Sequence, residues 1–150
     1  MDTERMKRVL ARVYGPAAPT EEKKPPDALR EAIRLEAEAA ARLRYLMRTS
    51  RACQNAFGEA LRRGEMRRRA LHAEFFLREG ERAPQLRSGT APGVLSALRQ
   101  IVLLARARAR LYESAKENAL PLAPETARRF AAECRAEESA AARLLALSMK

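Results

Sequence analysis

The sequence predicts an all-α protein, an antiparallel bundle of four helices, and three observations favour this fold class. The 150-residue chain is 47% apolar and 33% charged, as expected for a globular domain. It is dominated by Ala, Leu, Glu and Arg, which favour helices, while aromatic residues make up only 5% and Trp is absent. Apolar residues recur at helical spacing in four long stretches. These features exclude an all-β fold, which requires more β-branched and aromatic residues.

The chain divides into a short N-terminal helix, a linker and the bundle. Residues 1–14 place apolar side chains on one helical face, and Asp2 can cap that helix. Residues 15–26 contain several prolines and no apolar periodicity, so they are predicted to be a linker. Residues 27–150 have the length of one domain and are predicted to form the bundle.

Start and stop signals divide this bundle into its helices. Asp27 is a good capping residue for the first helix, and Gly80 ends the second. Prolines at the first helical positions open the third and fourth helices. The four helices are predicted over about 27–49, 52–79, 92–119 and from 124 nearly to the C-terminus.

Two of the inward-facing helical stripes contain a glutamate in the middle. Glu36 lies at the centre of the apolar stripe of the first helix, and Glu137 at the centre of that of the fourth. Glu38 falls on the opposite, solvated face. A buried carboxylate is costly unless it is paired or bound to a metal. Two interpretations follow: a salt bridge to an inward arginine, for which Arg68 is well placed, or a pair of metal ligands.

This arrangement resembles the ferritin-like, rubrerythrin-type four-helix bundles, over about residues 27–148. The segment Phe-Phe-Leu-Arg-Glu-Gly-Glu-Arg at 75–82 is similar to the end of the second helix in small bacterial members. Members of this family hold two irons between a Glu on each of two helices and a Glu-x-x-His on each of the other two. The resemblance implies a ferritin-like bundle and, because such bundles are often dimers, a homodimer.

Carried over to this chain, the ligand pattern of the family is incomplete. Glu36 matches the ligand of the first helix and Glu137 that of the fourth, although a second register would use Glu38 with Tyr45 as the family's aromatic residue. Glu65 matches a ligand of the second helix one place out of register. Both histidines and at least one glutamate are replaced. The positions of the lost ligands are Gly64, Arg67, Arg68, Ala105 and Ala140.

An arginine can take the place of the missing metal, because its guanidinium can hold two carboxylates at once. Arg67 or Arg68 would extend to where the irons would lie. The sequence therefore predicts a bundle whose di-iron centre is lost, with no cofactor. Such a chain would act as a scaffold or binding protein for an unidentified protein partner.

Two other functions remain open. The first is a di-iron or mononuclear oxidoreductase that acts on peroxide or dioxygen, with iron as its cofactor. It would need ligands outside the matched pattern, for which the candidates are Glu65, Glu113, Glu133 and His72.

The second alternative function is a basic adaptor for nucleic acid, since the net charge is +11. No aromatic residues alternate with its arginines as stacking platforms, which disfavours this function. The arginines concerned would be Arg62, Arg63, Arg67, Arg69, Arg106, Arg108 and Arg110.

The remaining features of the sequence concern its cellular environment. Cys53 and Cys134 lie far apart and have no spacing suited to zinc, so both are expected to be buried free thiols. No apolar run reaches the length of a membrane span, and the N-terminus lacks the apolar region of a signal peptide. A cytoplasmic protein without membrane association is therefore expected.

Overall fold

Four α-helices make up the part of the chain that the computed structural model describes, residues 25–85 and 93–149. They are α1 (Pro25–Thr49), α2 (Arg51–Glu79), α3 (Val94–Glu113) and α4 (Pro124–Ser148). No strand occurs in these ranges, so the predicted all-α class is confirmed. The predicted N-terminal helix and nearly all of the predicted linker lie outside the described residues. Within them, no helix combines the length and the apolar character needed to cross a membrane.

The third helix ends earlier than the sequence indicates. It was predicted to reach Ala119, but α3 stops at Glu113, and the next six residues form successive turns. At their end the N–H of Leu120 donates to the carbonyl of Ala115 at 2.8 Å, and Ala119 adopts a left-handed φ of 54°. These turns bury the Leu120 side chain in the core, which explains why a run of good helix formers does not continue the helix.

A single residue, Ser50, separates α1 from α2. Its backbone is extended, with φ −142° and ψ 125°, and its Oγ accepts a hydrogen bond from the N–H of Cys53 at 3.4 Å. The N–H of Ser50 donates to the carbonyl of Leu46 at 2.9 Å. One serine therefore ends the first helix and caps the second.

Removing this cap is expected to lower the stability of the protein modestly. Replacing Ser50 with Ala should reduce the free energy of unfolding by about 1 kcal/mol, because one N–H at the start of α2 loses its partner. Urea denaturation followed by circular dichroism measures the change. Ser139→Ala, an exposed substitution within α4, is the matched control and should change stability by less than about 0.5 kcal/mol. Equal effects of the two substitutions would contradict the capping role.

The core consists of two apolar clusters, one towards each end of the bundle. The first cluster combines the first part of α1, the later parts of α2 and α3, and the first part of α4. Its members include Leu29, Ile33, Leu71, Phe75, Tyr112 and Phe130. The second cluster combines the later part of α1, the first parts of α2 and α3, and the later part of α4. Its largest members are Leu43, Leu46, Phe57, Leu98 and Ile101. The middle of each helix therefore lies between the two clusters.

Each helix packs against two others. α1 contacts α2 and α3, and α4 contacts α3 and α2. Within the described residues α1 and α4 do not approach each other, and neither do α2 and α3, so these pairs lie across the bundle. The contact between α3 and α4 is the most extensive and that between α2 and α4 the least. Among the four described helices, α2 is therefore the one whose sides are least covered by the other three.

Candidate functional site

Four charged side chains, one from each helix, meet between the two apolar clusters. They are Glu36 of α1, Arg67 of α2, Arg108 of α3 and Glu137 of α4, and each residue is at most 3% exposed. In the described part of the chain, no other charged residue is buried. We call these four residues the central charge cluster. Since the helices contribute one member each, packing all four together is what assembles it.

Arg108 joins the two buried carboxylates. Its Nη1 donates to Oε1 of Glu36 at 2.7 Å, and its Nη2 donates to Oε2 of Glu137. Its Nε donates to the backbone carbonyl of Leu104 at 3.1 Å, one turn earlier in α3. All three guanidinium nitrogens therefore have acceptors, and the positive charge of Arg108 lies between the two carboxylates.

Arg67 supplies a second cation. Its Nε donates to Oε2 of Glu36 at 2.8 Å, and its Nη1 donates to Oε1 of Glu133 at 2.8 Å. Glu133, one turn before Glu137 in α4, has an 18% exposed side chain and extends the cluster towards solvent. The Nη2 of Arg67 lies 3.9 Å from Oε1 of Glu137 and makes no hydrogen bond among the described residues. Arg67 thus connects α2 to both α1 and α4.

The sequence left Arg67 and Arg68 as alternatives and favoured Arg68 for the salt bridge, and here the structure corrects it. Arg67 is the inward residue, whereas Arg68 is half-buried and pairs with Glu65 at 3.2 Å. Arg67 lies three residues after the buried Gly64, on the same helical face. A Cβ on Gly64 would lie 3.4 Å from Nη2 of Arg67, which is an ordinary van der Waals contact, so Gly64 packs directly beside the guanidinium.

Burial and charge act in opposite directions on the ionisable groups of the cluster. Burial alone would lower the pKa of Arg108, but the charges of Glu36 and Glu137 hold that pKa well above its ordinary value. Burial is also the largest single effect on Arg67 and lowers its pKa, but the charge of Glu36 and its hydrogen bond to Arg67, added to smaller effects, hold that pKa above its ordinary value. For Glu137 burial is the largest effect and raises its pKa, with Arg108 opposing it only in part. Both arginines therefore stay charged, and Glu137 is a weakened acid.

Two further ionisable groups lie close to the cluster on α3 and α4. Burial raises the pKa of the Cys134 thiol to about 12, so it stays protonated at neutral pH. Burial also raises the pKa of Tyr112 well above its ordinary value, and its ring packs edge-on against Phe130 with centroids 5.4 Å apart. The Tyr112 hydroxyl has no hydrogen-bond partner among the described residues. Neither group is an ionised nucleophile, and Cys53, the other thiol, is also buried and free.

The structure brings together some of the predicted ligand positions and separates others. Glu36 and Glu137 meet through Arg108, while Glu38 faces outwards and pairs with Arg34 at 2.7 Å. Glu65 lies apart from the central charge cluster and pairs with Arg44 and Arg68 near the surface. Of the predicted lost-ligand positions, those buried in the bundle are Gly64, Arg67 and Ala105, and those half-buried are Arg68 and Ala140.

The residues present do not fit a di-iron centre. Three of the four carboxylate oxygens of Glu36 and Glu137 accept hydrogen bonds from a guanidinium. The fourth, Oε1 of Glu137, faces the cation of Arg67. A metal ion would have to displace these guanidinium groups, and their positive charges would repel it. Across residues 25–85 and 93–149, no three His, Cys, Asp or Glu side chains converge as a metal site would require.

The ligands proposed for an alternative metal site are dispersed. Glu133 is bound by Arg67, and Glu113 is exposed and pairs with Arg135 at 2.6 Å. His72 is half-buried on α2, where burial and the neighbouring Arg68 lower its pKa. These side chains belong to three separate environments and form no shared site.

The arginines considered for nucleic-acid binding are also dispersed. Arg67 and Arg108 are buried and cannot reach a phosphate backbone. Arg62 and Arg63 share Glu59, and Arg106 pairs with Glu138. The sequence analysis counted Arg108 among the arginines considered for nucleic acid, although its position three residues after Ala105 places it on the inward face of α3.

The chain matches no protein-family model, no curated protein and no solved structure. Its function is therefore inferred from the central charge cluster and from the surface around the helices.

Proposed function

We propose that this chain is a ferritin-like four-helix bundle in which arginine–glutamate pairs replace a di-iron centre, and that it acts by binding another protein. The observation that carries this proposal is the position of two guanidinium groups between Glu36 and Glu137. These glutamates occupy the ligand positions that the family resemblance implies. The arginines supply the positive charge that two metal ions supply in the family.

The order of the helices supports a ferritin-like arrangement. α1 and α4 run from the first cluster towards the second, while α2 and α3 run from the second towards the first. Each helix is therefore antiparallel to both of its neighbours. Because α2 ends at the first cluster and α3 begins at the second, these two consecutive helices run in the same direction. A pair of consecutive helices that run in the same direction, joined by one long crossover, is typical of ferritin-like bundles.

The burial of the ionisable groups supports a binding role. The members of the central charge cluster are each at most 3% exposed, and they form ion pairs with one another and with Glu133. Cys134 and Tyr112 are protonated beside them. A substrate in solution does not reach these groups, whereas the outer helix faces are available to a partner. The centre of the bundle stabilises the fold, and the surface carries the function.

Iron loading tests the proposal at the site itself. Full-length protein is incubated aerobically with ferrous iron, excess metal is removed, and iron is measured by elemental analysis. We expect less than about 0.1 iron per chain, since the cluster is already occupied by two cations. Glu137→Gln is the matched variant and should retain the same background amount of iron per chain. About two irons per wild-type chain, lost in Glu137→Gln, would show that the di-iron centre survives and would overturn the proposal.

A further inference from the structure

Two buried polar atoms of the central charge cluster have no hydrogen-bond partner in the part of the chain that the structure describes. They are Nη2 of Arg67, which is a donor, and Oε1 of Glu137, which is an acceptor. The two atoms lie 3.9 Å apart, and both residues are at most 3% exposed. Leaving a buried donor or acceptor unpaired is costly, so such atoms in a folded protein usually have a partner, often an ordered water. A donor and an acceptor that face each other indicate a partner that the chain itself does not supply.

The two groups are held where they are by their other hydrogen bonds. Nε of Arg67 donates to Glu36 on α1 at 2.8 Å, and its Nη1 donates to Glu133 on α4 at 2.8 Å. The second oxygen of Glu137 accepts from Arg108 on α3. A direct hydrogen bond would need the gap between Nη2 and Oε1 to close to about 2.9 Å. That movement would stretch the bonds that fix the planar guanidinium at two of its nitrogens.

The gap has the dimensions of a bridge by one small molecule. An atom at about 2.8 Å from both Nη2 of Arg67 and Oε1 of Glu137 would form an angle of about 90° between them, which a water oxygen can adopt. These two residues belong to α2 and α4, the pair of contacting helices with the least extensive contact. A bridging molecule would therefore lie where direct packing between helices is sparsest.

Gly64 provides room beside the same nitrogen. It is a buried residue of α2, one turn before Arg67. Nη2 of Arg67, at 3.4 Å, is the only atom of the described residues within 4 Å of the position that a Cβ would take, apart from the chain neighbours of Gly64 and the backbone of its own helix. A methyl group would fit there, and so would a water molecule, which is of similar size.

The charges around the gap select a neutral molecule. A cation would be repelled by the guanidinium of Arg67, and an anion by the carboxylate of Glu137. The occupant must accept a hydrogen bond from Nη2 and donate one to Oε1, and water does both. Glu133, which pairs with Arg67 and has an 18% exposed side chain, marks the side on which solvent comes closest to this gap.

We propose that one buried water molecule binds between Arg67 and Glu137 beside Gly64, and that it connects α2 to α4 at the centre of the bundle. The water accepts a hydrogen bond from Nη2 of Arg67 and donates one to Oε1 of Glu137. With it, the facing donor and acceptor of the central charge cluster both have a partner. This inference concerns the centre of the bundle and does not rest on the proposed binding role.

Replacing Gly64 with Ala tests the inference, with Gly58→Ala as the matched control. Both glycines lie inside α2, neither has a positive φ, and a Cβ at Gly58 would meet nothing within 4 Å. Gly58→Ala should raise the folding equilibrium constant about fourfold, because alanine favours a helix interior over glycine. Gly64→Ala fits sterically but displaces the water. Its folding constant should be lower than that of Gly58→Ala by about tenfold or more, because the facing donor and acceptor lose their partner.

Magnetic relaxation dispersion of the solvent counts the water directly, since it detects water molecules that stay inside a protein for long times. The full-length protein is treated with a chelator first, so that the measurement is independent of iron loading. We expect wild type and Gly58→Ala to hold one more long-lived water than Gly64→Ala. Urea denaturation of the same three proteins gives the folding constants.

Either of two results would overturn the inference. The first is an equal number of long-lived waters in wild type and Gly64→Ala. The second is a gain of stability in Gly64→Ala as large as that in Gly58→Ala, which would indicate a dry contact between Gly64 and Arg67. If Gly64→Ala does not fold, nuclear Overhauser effects between water and the Hα atoms of Gly64 in wild type decide the question. Their presence would support the bound water, and their absence would contradict it.

Discussion

Replacing Arg108 with Met is expected to lower the free energy of unfolding by about 3–5 kcal/mol. Arg108 is the cation that touches both buried glutamates, through Nη1 to Glu36 and Nη2 to Glu137. Methionine fills much of the same volume but leaves two carboxylates at the centre of the bundle with only Arg67 to oppose them. Equilibrium unfolding in guanidinium chloride measures the loss.

Arg106 is the matched control for this substitution. It lies two residues earlier in α3, and its Nε donates to Glu138 at 3.0 Å, but its side chain is 43% exposed. Because water screens this pair, Arg106→Met should reduce stability by less than about 1 kcal/mol. If the two variants lost equal stability, burial of the central charge cluster would contribute nothing to its energetics.

Glu36→Gln is expected to destabilise the protein more than Glu137→Gln, by about 3 kcal/mol against about 1 kcal/mol. Both oxygens of Glu36 accept hydrogen bonds, one from Arg67 and one from Arg108. A glutamine there must turn its amide N–H groups towards a guanidinium, where two donors face each other. Glu137 accepts only from Arg108, and its Oε1 has no hydrogen-bond partner among the described residues.

Denaturant unfolding of both variants measures this difference. The pH dependence of Glu137→Gln provides a further test. Burial raises the pKa of Glu137 above its ordinary value of 4.5, so the folded protein holds that proton more strongly than the unfolded chain. The contribution of Glu137 to stability therefore falls as the pH rises from 4.5 through its raised value. Glu137→Gln lacks this titration, so its stability deficit relative to wild type should shrink between pH 4.5 and pH 7.5. A deficit that grows over this range would contradict the raised pKa.

Helical periodicity was sufficient to predict the two buried glutamates. The apolar stripes of α1 and α4 are well defined, and Glu36 and Glu137 fall at their centres, where the structure places them. The stripe of α2 is less well defined, because its middle contains Gly64 and several arginines. Neighbouring residues on a helix point about 100° apart, so a small error in the direction of a poorly defined stripe exchanges Arg67 for Arg68.

Other parts of the site depend on how the helices pack. Which glutamates Arg108 contacts is set by the rotation of α3 relative to α1 and α4, and periodicity within one helix does not contain that information. The end of α3 is similar, since Ser114 to Ala119 have adequate helix propensity and are turned by the burial of Leu120. Tertiary packing overrides local preference at both places.

The layer of charge between the two apolar clusters also determines how the four helices align lengthwise. Sliding one helix by a turn, about 5.4 Å, would carry its charged residue out of the layer and into Leu, Ile or Phe side chains at one end. An apolar core alone tolerates such a slide more easily, because one leucine can replace another. Four buried charged residues that must lie in the same layer permit a single lengthwise alignment of the helices. A buried polar residue fixes the register of a coiled coil in the same way. The outer faces of the four helices are consequently held at fixed heights relative to one another.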